Sequence, residues 1–357
     1  MNQQRLARVL RNMERDGLEQ IVVTSTASVY YLTGYWVEPM ERMLALYLRA
    51  DGTCTLFANT LFALEPQEGL ELVLHQDSDE PTAALAAALR PGRLGVDKAW
   101  PSKFLIALLN ARPDVTPVLG SAPVDDARKY KDADEIAAMR HASRINDQGV
   151  EQGIAAVKEG AVESELAAYV ESLYRQHGAD RSSEGQLVCF GPNGADPHHG
   201  PNDTVLKDGD SVVLDIFIPI RRYWCDMTRT VFFRSVSDEG RRVYETVKAA
   251  NLAAEAMIRP GVPMKDIDRA ARKVIEDAGY GPCFTHRLGH GCGLDCHEPP
   301  DNSSSSPAIA EPGMVFSVEP GIYLPGKLGV RIEDLVLVTE DGCEVLNHAS
   351  KELRVVE

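Results

Sequence analysis

Apolar residues recur at helical intervals at the start of the chain, where Leu6, Val9, Leu10 and Met13 lie among charged residues between positions 3 and 16. Gly17 ends that helix, and residues 20–24 read as a short apolar strand. Residues 29–32, 43–48 and 54–58 are further strand candidates, the last two joined by the hairpin signal Asp51-Gly52. Helices are predicted over 81–89 and 103–111, with a strand over 93–97 between them. This mixture predicts a smaller α/β domain over residues 1–125, with no recognisable chemical motif in it.

A different pattern begins at about residue 130. Residues 134–157 form one long helix candidate with Ile136, Met139, Ile145 and Val150 among its apolar positions, and a second helix covers 163–176. Strand 187–190 gives way to the loop Gly191-Pro192-Asn193-Gly194, and two more helices are predicted over 239–257 and 264–278. Between and after them lie apolar, β-branched strands, including a pair over 212–220 and 223–233 that turns near Arg221. Helices alternating with antiparallel strands predict an α+β domain over residues 130–357. The Ser run at 302–306 reads as a flexible loop.

Composition narrows the classes. With 357 residues the chain has room for two domains and a large core, and 44% apolar with 25% charged residues is ordinary for a globular protein. A formal net charge of -16 argues against nucleic acid or an anionic membrane surface as partner. Seven cysteines with no small disulfide-dense module are expected to be reduced, and no apolar run approaches membrane-spanning length. A cytoplasmic protein is the expectation.

The chemistry concentrates in residues 284–298, Phe-Thr-His-Arg-Leu-Gly-His-Gly-Cys-Gly-Leu-Asp-Cys-His-Glu. Glycines at 289, 291 and 293 clear side chains from around His290, which suits close approach to a metal ion or a substrate. Asp215 and Asp226 precede this segment on the strand pair, and as cross-strand neighbours they would share one face of the sheet. Paired buried carboxylates repel unless a cation neutralises them. Glu319 closes an apolar strand at Pro320-Gly321, and alternation from Val330 puts Arg331 and Glu333 on one face. One imidazole and four carboxylates make a ligand set for two divalent ions, harder ions such as Mn²⁺ first, with Co²⁺ or Zn²⁺ able to substitute. A zinc site from His290, Cys292, Cys296 and His297 is the rival. Its spacing is not a usual structural zinc pattern, and an extended strand would put the cysteines and His297 on opposite faces. His198 and His199 follow Pro197; one of them could hydrogen-bond a substrate, and His199 reads better as a surface loop residue. His75, His141, His177 and His348 lack a supporting pattern.

Taken in order, Leu-Asp215, Cys-Asp226-Met-Thr-Arg-Thr, Gly-His290-Gly-Cys-Gly-Leu-Asp-Cys-His297-Glu, Val-Glu319-Pro-Gly-Ile-Tyr and Val-Arg-Ile-Glu333-Asp resemble the pita-bread metallopeptidases of the prolidase and aminopeptidase P branch, over nearly the whole chain. Tyr31-Leu32-Thr33-Gly34-Tyr35 is similar to that branch's N-terminal domain. The resemblance implies a pita-bread (creatinase/aminopeptidase) catalytic domain behind a creatinase-like domain, a homodimer, and hydrolysis of the bond between an N-terminal residue and proline. It implies Asp215, Asp226, His290, Glu319 and Glu333 as ligands of two metal ions, with Asp226 and Glu333 bridging. Glu319 would also carry a proton, His198 and His297 would contact substrate, and Arg331 would stand beside the bridging Glu333. Another amide hydrolase or lyase on the same scaffold, or a non-catalytic binding module, are the alternatives; the complete ligand set and His297 disfavour the second. Two departures stand out. Phe217 occupies a position where the family often has glycine, which would narrow the pocket. After His297-Glu the chain has Asp301 and serines where some prolidases carry an arginine for the dipeptide carboxylate, so peptides longer than two residues are expected to be accepted.

Overall fold

Leu6, Val9 and Met13 form the buried stripe of α1 (Gln3–Arg15), the first element of a computed structural model that describes residues 1–180 and 186–357. The chain divides into two units, Met1–Arg128 and Lys129–Glu357. In the first, six strands form one mixed sheet: β1 (Gln20–Val23), β2 (Ala45–Arg49), β3 (Cys54–Asn59), β4 (Glu71–His75), β5 (Gly92–Val96) and β6 (Val115–Leu119), in the order β4-β3-β2-β1-β5-β6. Around it lie α2 (Thr26–Thr33), α3 (Pro81–Ala88), α4 (Ser102–Ala111) and α5 (Ala122–Arg128). Antiparallel pairing of β2 with β3 across Gly52, whose φ is +87°, bears out the Asp51-Gly52 turn. One strand expectation fails. Residues 29–32 lie in α2, because the Ser25 side chain caps its start by accepting from the Ser28 N–H and Gly34 ends it in the left-handed region. Val29, Tyr30 and Tyr31 favour strands intrinsically, and the two caps override them.

The second unit builds two helix-covered layers. α6 (Ala133–Ala155) and α7 (Glu163–Gln176) pack on the sheet of β7 (Leu187–Phe190), β8 (Ser211–Ile220) and β9 (Tyr223–Phe233), through a core that includes Ile145, Val150, Val170, Tyr174, Leu214 and Ile216. α8 (Asp238–Met257) and α9 (Met264–Asp277) cover the second layer through Val243, Val247, Ile267, Phe316, Val318 and Val336. That layer is a sheet of β10 (Gly289–Gly291), β11 (Glu298–Asn302), β12 (Val315–Val318), β15 (Asp334–Val338) and β16 (Cys343–Val345), ordered β11-β10-β12-β15-β16. A separate ribbon, β13 (Gly321–Leu324) with β14 (Leu328–Arg331), connects β12 to β15, and β17 (Val355–Val356) adds to β9. Buried Arg229 ties the two layers, donating to Asp334 Oδ1 at 2.7 Å and to the Glu333 carbonyl at 2.6 Å.

Two local expectations change. Arg331 ends β14, and Ile332 and Glu333 lie between strands, so the uninterrupted alternation expected from Val330 is broken there. The Ser run is no flexible loop: Asn302 closes β11, and Asn302, Ser303 and Ser306 are buried. Asn302 Nδ2 donates to the Ser317 carbonyl at 3.1 Å, and the Ser303 hydroxyl donates to Asp301. These bonds give the buried Asn302 Nδ2 and Ser303 hydroxyl internal partners, while Ser304 and Ser305 face solvent.

Candidate metal centre

Period-two alternation sorts the β8–β9 ribbon. Leu214, Ile216 and Ile218 on β8, and Cys225, Met227 and Val231 on β9, enter the core under α6 and α7. Asp215, Phe217 and Asp226 therefore face the other side, where all three line a cavity of about 460 Å³. The register pairs Asp215 with Thr228 and Phe217 with Asp226, so the two aspartates are diagonal neighbours on one face. The turn between the strands carries positive φ at both Arg221 (53°) and Arg222 (74°). That geometry normally selects Asn-Gly; here the Arg222 N–H donates to Asp180 Oδ2 at 2.6 Å.

His290 stands in the middle of β10, and its glycines answer a packing demand. A Cβ on Gly289 would lie 2.0 Å from the Ser317 carbonyl oxygen, and one on Gly291 would lie 2.3 Å from that of Glu298. Only a bare backbone lets β11 and β12 close on both sides of the histidine. Ser317 accepts from the His290 N–H at 2.9 Å and donates to Glu319 Oε1 at 3.0 Å, fixing two candidate ligands from one hydroxyl. Glu333 is reached from the facing sheet, where Thr228 Oγ1 donates to its Oε2 at 2.7 Å.

The donor set fits a divalent cation. Ligand atoms of Asp226, His290 and Glu333 all lie within 4.8 Å of one another. His290 Nδ1 lies 3.2 Å from the Gly291 carbonyl, which assigns the proton there and leaves Nε2 a bare lone pair. That lone pair sits 3.4 Å from Glu319 Oε1 and 3.6 Å from Asp226 Oδ2. Burial, reinforced by His297, pushes the His290 pKa down to about 3, so no imidazolium forms to relieve the crowding. Burial, and then repulsion from Asp215 and Glu319, raises the Asp226 carboxyl well above the usual range, and burial followed by repulsion from Asp226, Glu319 and Asp215 does the same to Glu333. Burial lifts Glu319 to about 7, opposed by Arg331 and aided by Asp215. Asp215 Oδ1 is buried with no hydrogen-bond partner. Carboxyls that are driven to hold protons when crowded and buried are released to ionise by a cation among them.

Arg331 is wholly committed within the site. Its Nη2 donates to Asp215 Oδ2 at 2.6 Å, Nη1 to the Tyr323 hydroxyl at 3.0 Å and Nε to Thr228 Oγ1 at 3.0 Å. His198 and His297 also line the cavity, and the His297 ring lies 3.9 Å from that of His290. His199 turns away to Glu163 at 3.2 Å, where a buried carboxylate also takes the Phe190 and Asn202 N–H groups and anchors the loop. Cys296 Sγ donates to Asp226 Oδ2 at 3.5 Å.

Sequence reasoning gave no role to two polar cavity residues, His286 and Arg287. His286 Nδ1 donates to the Arg287 carbonyl and its Nε2 accepts from Tyr323, each at 2.7 Å; burial lowers its pKa to about 4. Arg287 Nη1 donates to Asp301 Oδ1 at 2.8 Å. The position of His286 four residues before His290 was the available signal. Nothing local marks Arg287.

Comparison with known proteins follows the same lines. Residues 137–340 match the model of metallopeptidase family M24, and residues 5–130 match the creatinase/prolidase N-terminal domain. An uncharacterized peptidase of Staphylococcus aureus (strain USA300) is 36% identical over 357 residues, 97% of this chain and 99% of that one. A recombinant prolidase from Thermococcus sibiricus superposes with a TM-score of 0.94 at 35% identity, covering 100% of this chain and 99% of its own. An X-Pro aminopeptidase from Thermotoga maritima superposes at 0.82 with 28% identity, covering 97% and 100%. A creatinase/prolidase N-terminal domain followed by a catalytic unit that gathers buried carboxylates around one histidine places this chain in metallopeptidase family M24.

Proposed function

We propose that the chain is a metal-dependent Xaa-Pro peptidase that hydrolyses the bond between an N-terminal residue and proline. The observation that carries this reading is the convergence of Asp215, Asp226, His290, Glu319 and Glu333 with His198, His297 and Arg331 on one cavity. The prolidase and X-Pro aminopeptidase likenesses support the substrate class.

Asp215, Asp226, His290, Glu319 and Glu333 would hold two divalent ions, Mn²⁺ by preference for this oxygen-rich set, with Co²⁺ or Zn²⁺ as substitutes. When bound, such ions supply Lewis-acid polarisation of the scissile carbonyl and lower the pKa of water. Glu319, oriented by Ser317, takes the proton of the attacking water and passes it to the leaving proline nitrogen. His198 and His297 donate hydrogen bonds to the carbonyl oxygen as its charge grows. Arg331 aligns Asp215 and, through Thr228, Glu333. Leu187, Pro197 and Phe217 form an apolar wall suited to a pyrrolidine ring and an aliphatic neighbour, with Phe217 stacked on Trp224 at 6.4 Å. Proline nitrogen carries no hydrogen, so binding rests on ring shape instead of an N–H contact.

The test is metal-loaded protein assayed side by side on Xaa-Pro, Xaa-Pro-Xaa and Xaa-Ala peptides. Cleavage of the first two and not the third is expected; equal cleavage of Xaa-Ala overturns the proline reading. A homodimer is proposed from the family resemblance, and a monomer mass by light scattering would overturn it.

A further inference from the structure

The cavity poses an electrostatic problem for any small peptide that enters it with a free C-terminus. Asp215, Asp226, Glu319 and Glu333 line it as the candidate ion ligands, so a substrate carboxylate that lies beyond the ions needs a cation of its own. Two guanidinium groups lie in the lining, those of Arg331 and Arg287. Arg331 is 4% exposed and each of its three nitrogens already donates to Asp215, Tyr323 or Thr228. Arg287 is different. Its side chain is 43% exposed, and among the described residues its one hydrogen-bonded partner is Asp301, itself 40% exposed. Asp301 sits on β11 directly opposite His290, so the pair stands beside the candidate metal centre. The second oxygen of Asp301 accepts from Ser303, which holds the carboxylate in place.

We propose that Arg287 recognises the C-terminal carboxylate of dipeptide substrates, with Asp301 as a built-in competitor for the same guanidinium. The proposal rests on the Xaa-Pro reading of the site and concerns which peptide lengths that site prefers. A pair this exposed is weak enough to exchange partners. A dipeptide carboxylate takes the guanidinium from Asp301, and the fork geometry of arginine accommodates a bidentate contact. A longer peptide places a neutral amide at that position and gains nothing from Arg287. Asp301 thus blunts discrimination, leaving dipeptides and longer peptides both accepted. The two residues act in opposite directions on one quantity, the ratio of KM for a free acid to KM for its carboxamide.

Three substrates read that ratio: Ala-Pro, Ala-Pro carboxamide and Ala-Pro-Ala, with the metal-loaded full chain. Arg287→Met is expected to raise KM for Ala-Pro about fivefold or more while leaving the carboxamide and tripeptide within about twofold. Arg287→Lys should recover part of the loss, because a point charge remains without the fork. Asp301→Asn should lower KM for Ala-Pro and leave the other two unchanged. Metal content and thermal midpoint are measured for each variant, so that misfolding is seen directly. A KM increase shared equally by acid and carboxamide in Arg287→Met, or a shift in the same direction for both positions, overturns the inference and assigns the pair a structural role. Wild-type protein that binds metal yet cleaves none of the three overturns the Xaa-Pro reading and this inference with it. Cleavage by wild type with an unchanged acid-to-amide ratio in the variants overturns the inference alone.

Discussion

Thr228 touches two members of the site at once, donating its hydroxyl hydrogen to Glu333 and accepting from Arg331 Nε. Replacing it with the near-isosteric valine removes both contacts without opening a cavity. Groups of this kind orient ligands, and Thr228→Val is expected to cost about 10–100-fold in metal affinity or kcat/KM. Glu333 itself should matter more. Glu333→Ala is expected to lose about 100-fold or more in activity together with bound metal, whereas exposed Glu340→Ala should retain both. Elemental analysis and steady-state kinetics on the two glutamate variants decide the matter; equal metal content and rate would remove Glu333 from the ligand set.

Among the elements, β10 depends most on what is missing from it. Gly289→Ala would push a methyl group into the Ser317 carbonyl and separate β10 from β12. Overpacking of this order costs about 1–3 kcal/mol, and here it also displaces His290. Chemical denaturation should show the loss, with metal content falling alongside it. These glycines were legible in the sequence because they cluster around a histidine. The parity of Asp215 and Asp226 was legible too, since strict alternation with Leu214, Ile216, Cys225 and Met227 leaves them one shared face. Residues 29–32 carry strand-favouring side chains, and the neighbouring caps at Ser25 and Gly34, present in the sequence, make them helical. Other features depend on partners distant in the chain. Arg287 gains its meaning from β11 arriving beside β10 with Asp301, which no local pattern announces. The ordering of residues 302–306 likewise needs the Ser317 carbonyl on β12 to accept from Asn302 Nδ2.

For the whole molecule, the acidic centre sets how stability responds to pH when metal is removed. A carboxyl whose pKa is raised in the folded state binds its proton more tightly folded than unfolded. Its contribution is therefore greatest at low pH and is lost as pH climbs from its ordinary value, near 4.5 for Glu319, through about 7. Asp226 and Glu333 shift in the same direction. Metal-free protein should accordingly lose stability between about pH 5 and about pH 8, while divalent ions, which compete with those protons, gain affinity over the same range. The gap between loaded and metal-free thermal midpoints should widen by about 5 °C or more across it; a constant gap would show that these carboxylates do not bind the ions. The division of the donors adds a mechanical consequence. Asp215 and Asp226 belong to the β8–β9 ribbon, whereas His290, Glu319 and Glu333 come from β10 and the ends of β12 and β14–β15. An ion shared among them would act as a strut between two walls that Arg229 and Asp334 pin at another point. Withdrawing it should quicken amide hydrogen exchange on both walls together, leaving the Met1–Arg128 unit at its original rate.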